Sequence, residues 1–181
     1  MTRDEAKEIL AHYRTKELTP EERKALLLDW WTIGPDDPGY ADLPRSLRAE
    51  LASQDQPSSA AESRYDPLLE VAIRRSLVGV TNSYLERSLV ELHIEPPTVE
   101  GQPERMVACP CCGYQSLGKR GQYEICKVCF WEDDGTDDLD RPSGPNRMTL
   151  REASENFRRM GAMSEQARSR VLPDGKERYS H

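Results

Sequence analysis

The spacing of apolar and polar residues changes character near residue 100. Before it, the chain keeps a helical period. In "TRDEAKEILAHY", Ala6, Ile9, Leu10 and Tyr13 share one face, and Thr2 with Glu5 makes a capping box. "TPEERKALLLDWW" repeats the device with Thr19, Pro20 and Glu22, followed by an apolar face of Leu26, Leu27, Trp30 and Trp31. "GPDDPGY" (34–40) stops that helix, and Leu43, Leu47 and Leu51 predict a short helix in "LPRSLRAELAS". After the Ser-rich loop 53–63, "YDPLLEVAIRRSLVGV" offers Asp66 as cap and Pro67 at the first helical position. Its buried face is Leu68, Leu69, Ala72, Ile73 and Leu77, with Gly79 as stop. "TNSYLERSLVEL" predicts one more helix, with Tyr84, Leu85, Leu89 and Leu92 inward.

"EPPTVEGQPER" (95–105) marks a boundary through its prolines and glycine. Beyond it, "RMVAC", "YQSL" and "QYEIC" are short β-like stretches joined by "GKRG", and "EDDGTDDLDRPSGPN" (132–146) is an acidic loop. A last helix, "TLREASENFRRMG", runs from a Thr149–Glu152 capping box to Gly161 and buries Leu150, Ala153, Phe157 and Met160. The charged tail after Ser164 is expected to fray. The fold class is therefore α+β: a mainly helical region over residues 1–98, a small zinc-ribbon-like β module with one helix over 99–164, and a charged tail over 165–181.

Chemistry concentrates in the second region. All five cysteines lie between Cys109 and Cys129. Cys109 and Cys112 form one C-x-x-C pair, Cys126 and Cys129 a second, and 13 residues separate the pairs. Two such turns aim four sulfurs at one point, the donor set of a structural Zn²⁺ site with no open position for water or substrate. Pro110 and Gly113 suit the first turn, since proline presets one dihedral and glycine lets the backbone double back. An iron–sulfur centre uses the same four thiolates and is the alternative. Cys111 is left over, as a small packing residue or an exchanging ligand. A reducing compartment, the cytoplasm, favours metal ligation over disulfides.

Charge sharpens the picture. The net charge is −7; residues 1–100 carry 12 Lys and Arg against 19 Asp and Glu, whereas residues 101–181 carry 13 of each. An acidic balance disfavours nucleic acid and favours a basic protein partner, or simply solubility. The mean hydropathy of −0.78 fits no membrane span. Glu132, Asp133, Asp134, Asp137 and Asp138 are the candidate contact residues for a basic partner, the alternative being a solvated loop. Among the tryptophans, Trp30 and Trp131 are expected in the core and Trp31 on the surface as a candidate anchor. No glycine-rich phosphate loop or local catalytic grouping is present, so no enzyme activity is expected.

The strings "CPCCGY…YEICKVCFWEDD" and "GPNRMTLREASENFRRMG" resemble the bacterial cysteine-rich CPCC domain family over roughly residues 107–162. The resemblance implies Cys109, Cys112, Cys126 and Cys129 as zinc ligands, and Asn146 and Asn156 as residues fixing the acidic loop against the last helix. It implies no enzymatic activity. Some members look like immunity proteins that accompany toxins, which implies a binding role. The leading expectation is thus a module that covers a basic toxin domain; the alternative, from the ribbon-like cysteine spacing, is a nucleic-acid-binding or transcription-associated zinc ribbon.

Overall fold

The computed structural model describes residues 1–94 and 98–181; the start of the expected linker, residues 95–97, lies outside the described residues. The chain folds into two compact units, one built from Met1–Val78 and Leu85–Gly101, the other from Gly79–Tyr84 and Gln102–His181. The fold is α+β.

Five of the helices lie in residues 1–94: α1 (Arg3–Glu17), α2 (Pro20–Trp30), α3 (Arg45–Ser53), α4 (Asp66–Ser76) and α5 (Asn82–Glu91). Both expected capping boxes form. Glu5 and Glu22 each receive the backbone N–H of their threonine, Thr2 at 2.7 Å and Thr19 at 2.9 Å. Each such cap stabilises a helix start by about 1 kcal/mol. In the first unit α1 and α2 both pack on α4. The core gathers Leu27, Trp31, Leu43, Leu47, Tyr65, Leu68 and Leu69. Two helical expectations shift. Tyr13 is 44% exposed while Ala11 is buried, because the buried stripe of α1 follows Ala6, Leu10 and Ala11. The α4 helix includes Asp66, since a 3-10 turn at Ser63–Tyr65 leads straight into it; the Asp66 carboxylate pairs with Arg23 at 2.6 Å.

Trp31 is not a surface residue. It is 4% exposed, and its Nε1–H donates to the Gln54 carbonyl at 2.8 Å. Its ring meets Tyr65 edge-on, with centroids 5.3 Å apart. Leu26 with Trp30 and Leu27 with Trp31 are alternative four-residue spacings on α2; the buried stripe follows Leu27 and Trp31, which keeps helical dihedrals as the closing residue, and leaves Trp30 partly buried at its edge.

The second unit has little regular structure. β1 (Val107–Ala108) pairs antiparallel with β2 (Gln115–Leu117), with Val107 opposite Leu117. The expected third strand reduces to a bridge between Ile125 and Glu132. Helix α6 (Leu150–Met160) begins at a Thr149–Glu152 capping box and stops at Gly161, whose φ is +80°. It buries Leu150, Ala153 and Phe157. A four-residue helix, α7 (Gly175–Arg178), follows. The segment after Ser164 does not fray: Ala167, Gly175 and Tyr179 are buried in this unit.

Candidate metal centre

Two tight turns build the centre, and their backbones match. In the first, the Gly113 N–H donates to the Cys109 carbonyl at 2.8 Å and the Cys109 N–H to the Tyr114 carbonyl at 2.9 Å. In the second, the Phe130 N–H donates to the Cys126 carbonyl at 2.8 Å and the Cys126 N–H to the Trp131 carbonyl at 2.8 Å. The residue four places after the leading cysteine is left-handed in both, Gly113 at φ +83° and Phe130 at φ +71°. The second turn adds an N–H from Val128 to Cys126 Sγ at 3.4 Å.

These turns bring Cys109, Cys112, Cys126 and Cys129 together, with all four sulfurs within 4.8 Å of one another. The shortest distances cross between turns: Cys109 to Cys129 at 3.6 Å and Cys112 to Cys126 at 3.7 Å. A tetrahedral ion with bonds of about 2.3 Å would separate its sulfurs by about 3.8 Å. The donor set therefore fits one four-coordinate, thiolate-preferring ion. None of the four residues is more than 6% exposed.

Electrostatics point the same way. Hydrogen bonds from Cys109, then Cys112 and Cys129, and from Ser116 hold the Cys126 thiol far below its ordinary range. Cys112 moves up, first through its hydrogen bond with Cys109, and Cys129 moves up through burial and then its cysteine neighbours. Full ionisation of four buried sulfurs needs a cation at their centre, and binding one expels the remaining protons. Ser116 was not legible from sequence. It is 1% exposed, and its Oγ lies 3.0 Å from Cys126 Sγ, within hydrogen-bond reach of one of the four clustered sulfurs. Cys111, also buried, stands outside the close set of four.

The acidic run behind the second turn is only partly a surface. Asp133 is fully buried, not a contact residue. It accepts from Arg120 Nε at 3.1 and 3.0 Å and from the Gly121 N–H at 2.6 Å. Tyr123 explains this inward turn: at φ +58° it forms a one-residue bulge, donating to the Asp133 carbonyl while the Asp133 N–H reaches Glu124. The bulge also breaks the expected strand. Arg120 extends to Asp137 at 2.9 Å, Asp134 accepts from Ser143 Oγ at 2.7 Å, and Asp138 takes the Asp140 N–H at 3.0 Å. Glu132 and Asp134 are half-buried, Asp137 and Asp138 exposed. Asn146 closes the acidic loop on itself, not against α6: it accepts from the Glu132 N–H at 2.9 Å and donates to its carbonyl at 2.8 Å. Asn156 acts elsewhere: its Nδ2 donates to the Met163 carbonyl at 2.9 Å and fixes the turn after α6. Among the described residues no helix is long and apolar enough to cross a membrane.

The model of a family described as cysteine-rich CPCC matches residues 107–177, which hold both turns, the acidic loop and α6. No curated protein and no solved structure matches the chain.

Proposed function

We propose that the chain is a non-catalytic binding protein whose second unit is held in shape by a structural zinc ion, a reading supported by the match of residues 107–177 to the model of the cysteine-rich CPCC family. The observation that carries this reading is the closed donor set. Four buried sulfurs satisfy a tetrahedral ion completely, so the metal has no position left for substrate or water. Zinc suits this set because it accepts four thiolates without redox change. The sulfurs stay reduced in a compartment such as the cytoplasm.

The contact surface is the outer side of the acidic loop. Asp137 and Asp138 face solvent, and Tyr123, 61% exposed, stands beside Asp134, Pro142 and Pro145 along an open groove. An exposed aromatic ring beside carboxylates suits a basic protein surface, with the charges guiding encounter and the ring supplying contact area. The narrower form of the proposal is an immunity factor that covers the basic active face of a toxin. The test uses the full chain as bait against its native cell extract, with metal content measured on the same sample. Zinc at one ion per chain, with a basic partner lost on Tyr123→Ala and Asp137→Asn/Asp138→Asn, supports the reading. A metal-free chain removes the zinc part. Salt-sensitive retention on DNA or RNA with no protein partner replaces the binding part with a nucleic-acid role.

A further inference from the structure

We infer that residues 163–181 form a strap that locks the metal centre, so that strap docking and metal occupancy are one coupled equilibrium. The strap hydrogen-bonds to the backbone of the second cysteine turn at two places: the Met163 N–H donates to the carbonyl of Cys129 at 2.8 Å and the Leu172 N–H to that of Lys127 at 3.1 Å. Between these bonds and the end of the strap, Gly175 presses on the same turn. A Cβ added there would lie 3.2 Å from the Lys127 carbonyl oxygen and 3.3 Å from the Val128 Cα, so the backbone of the turn or of the strap would have to give by a few tenths of an ångström, and a larger side chain by more. The strap then crosses to the first turn. The Ser180 carbonyl accepts from the Gln115 N–H at 2.8 Å, next to the Ser116 hydroxyl that faces Cys126. His181 lays its ring 4.8 Å from that of Tyr114. A separate anchor holds the middle. Asp174 accepts from Tyr84 Oη at 2.8 Å and from Arg178 Nε at 2.8 Å, and the Arg178 carbonyl takes the Thr81 N–H at 2.8 Å.

The strap has almost no core of its own. Beyond Met163 its buried residues are Ala167, Gly175 and Tyr179, and its helix is a single turn. Its order comes from the two turns it crosses and from the anchor at Thr81 and Tyr84. Those turns hold their sulfurs together against thiolate repulsion only through a cation. Whatever the metal contributes to strap docking, the strap must return to metal affinity by the same factor. An event that lifts the strap, such as a partner that takes it up or cleavage at exposed Arg168 or Arg170, then loosens the ion.

This inference rests on the metal reading above, and the experiment separates the two. The full chain is loaded with Zn²⁺, its zinc content is measured, and release to excess EDTA is timed. Gly175→Val forces the strap away from Lys127 and Val128; Gly144→Val, where nothing lies within 4 Å of an added Cβ, is the control. Gly175→Val is expected to bind one zinc and release it at least about fivefold faster, the lower range of ordinary site coupling. Gly144→Val is expected to match wild type. Wild-type release with an unchanged rate in a zinc-loaded Gly175→Val chain overturns the lock, whereas absence of zinc from the wild-type chain overturns the metal reading itself. Should Gly175→Val not fold, hydrogen exchange at the Met163 and Leu172 amides of the wild-type chain decides. Amides that open no later than zinc leaves support the lock, and zinc leaving while they stay protected refutes it.

Discussion

The two cysteine turns share a backbone path but not a residue at its hardest point. The first places Gly113 in the left-handed region, where glycine has no side chain to clash. The second places Phe130 there, at a cost of about 1–2 kcal/mol for an L-residue. The surroundings account for the difference. Arg170 stands over the Phe130 ring, 5.5 Å from its centroid, so the strained residue gives the strap a cation–π contact worth roughly 0.5–1 kcal/mol. At Gly113 a side chain would meet His181, since an added Cβ falls 2.9 Å from its Nε2. One turn is thus relaxed and makes room for the strap; the other accepts strain and grips it.

The largest test removes what the turns have in common. Cys126→Ala should abolish stoichiometric zinc and unfold the second unit, because structural zinc contributes on the order of 10 kcal/mol to a site of this kind. Metal analysis with near-ultraviolet circular dichroism reads both. If Cys126→Ala melts like the parent chain, the turns do not share an ion.

Smaller changes separate the turns. Gly113→Ala should destabilise the zinc-loaded protein by about 1–2 kcal/mol, mostly through its dihedral, since the His181 ring can move. Ser116→Ala removes the hydroxyl beside Cys126 and should lower zinc affinity by about tenfold, read by chelator competition. Phe130 should then repeat the order seen at Gly113: Phe130→Gly is expected to be more stable than Phe130→Ala by about 1 kcal/mol, because both lose the ring but alanine keeps the strain. Equal melting temperatures for that pair would show that the second turn is free of the dihedral constraint that holds the first.

The smallest effect is a pH dependence of the strap. Burial alone would raise the Asp174 carboxyl, yet hydrogen bonds from Arg178 and Tyr84 outweigh it and hold it below the usual carboxylate range. A carboxyl lowered in the folded state stabilises above its unfolded value, and that contribution is lost as pH falls through the folded one. Strap protection should therefore weaken at acid pH, and Asp174→Asn should flatten that part of the profile. Under the proposed metal reading, acid also displaces the ion from its thiolates, and that part of the profile remains in the variant.

Much of this was legible along the chain. The Thr2, Thr19 and Thr149 caps form because each depends on residues three apart, and Leu150, Ala153 and Phe157 face inward because a helix imposes its own period. The four sulfurs were legible for the same reason: each C-x-x-C turn closes on itself. Trp31 and Asp133 were misplaced because their neighbours come from elsewhere, Gln54 and Tyr65 for one, Arg120 and Gly121 for the other. A charge count marks Asp133 as solvated; only the bulge at Tyr123 turns it inward.

By itself, then, the sequence determined the helices with their capping boxes and the two sulfur-bearing turns, since these are set by contacts within a few residues. Tertiary structure alone decided that Ser116 faces Cys126, that Phe130 bears strain beneath Arg170, and that residues written as a charged tail lie across the centre. Those outcomes depend on segments far apart in the chain meeting in one small volume, and neither periodicity nor composition carries information about such meetings.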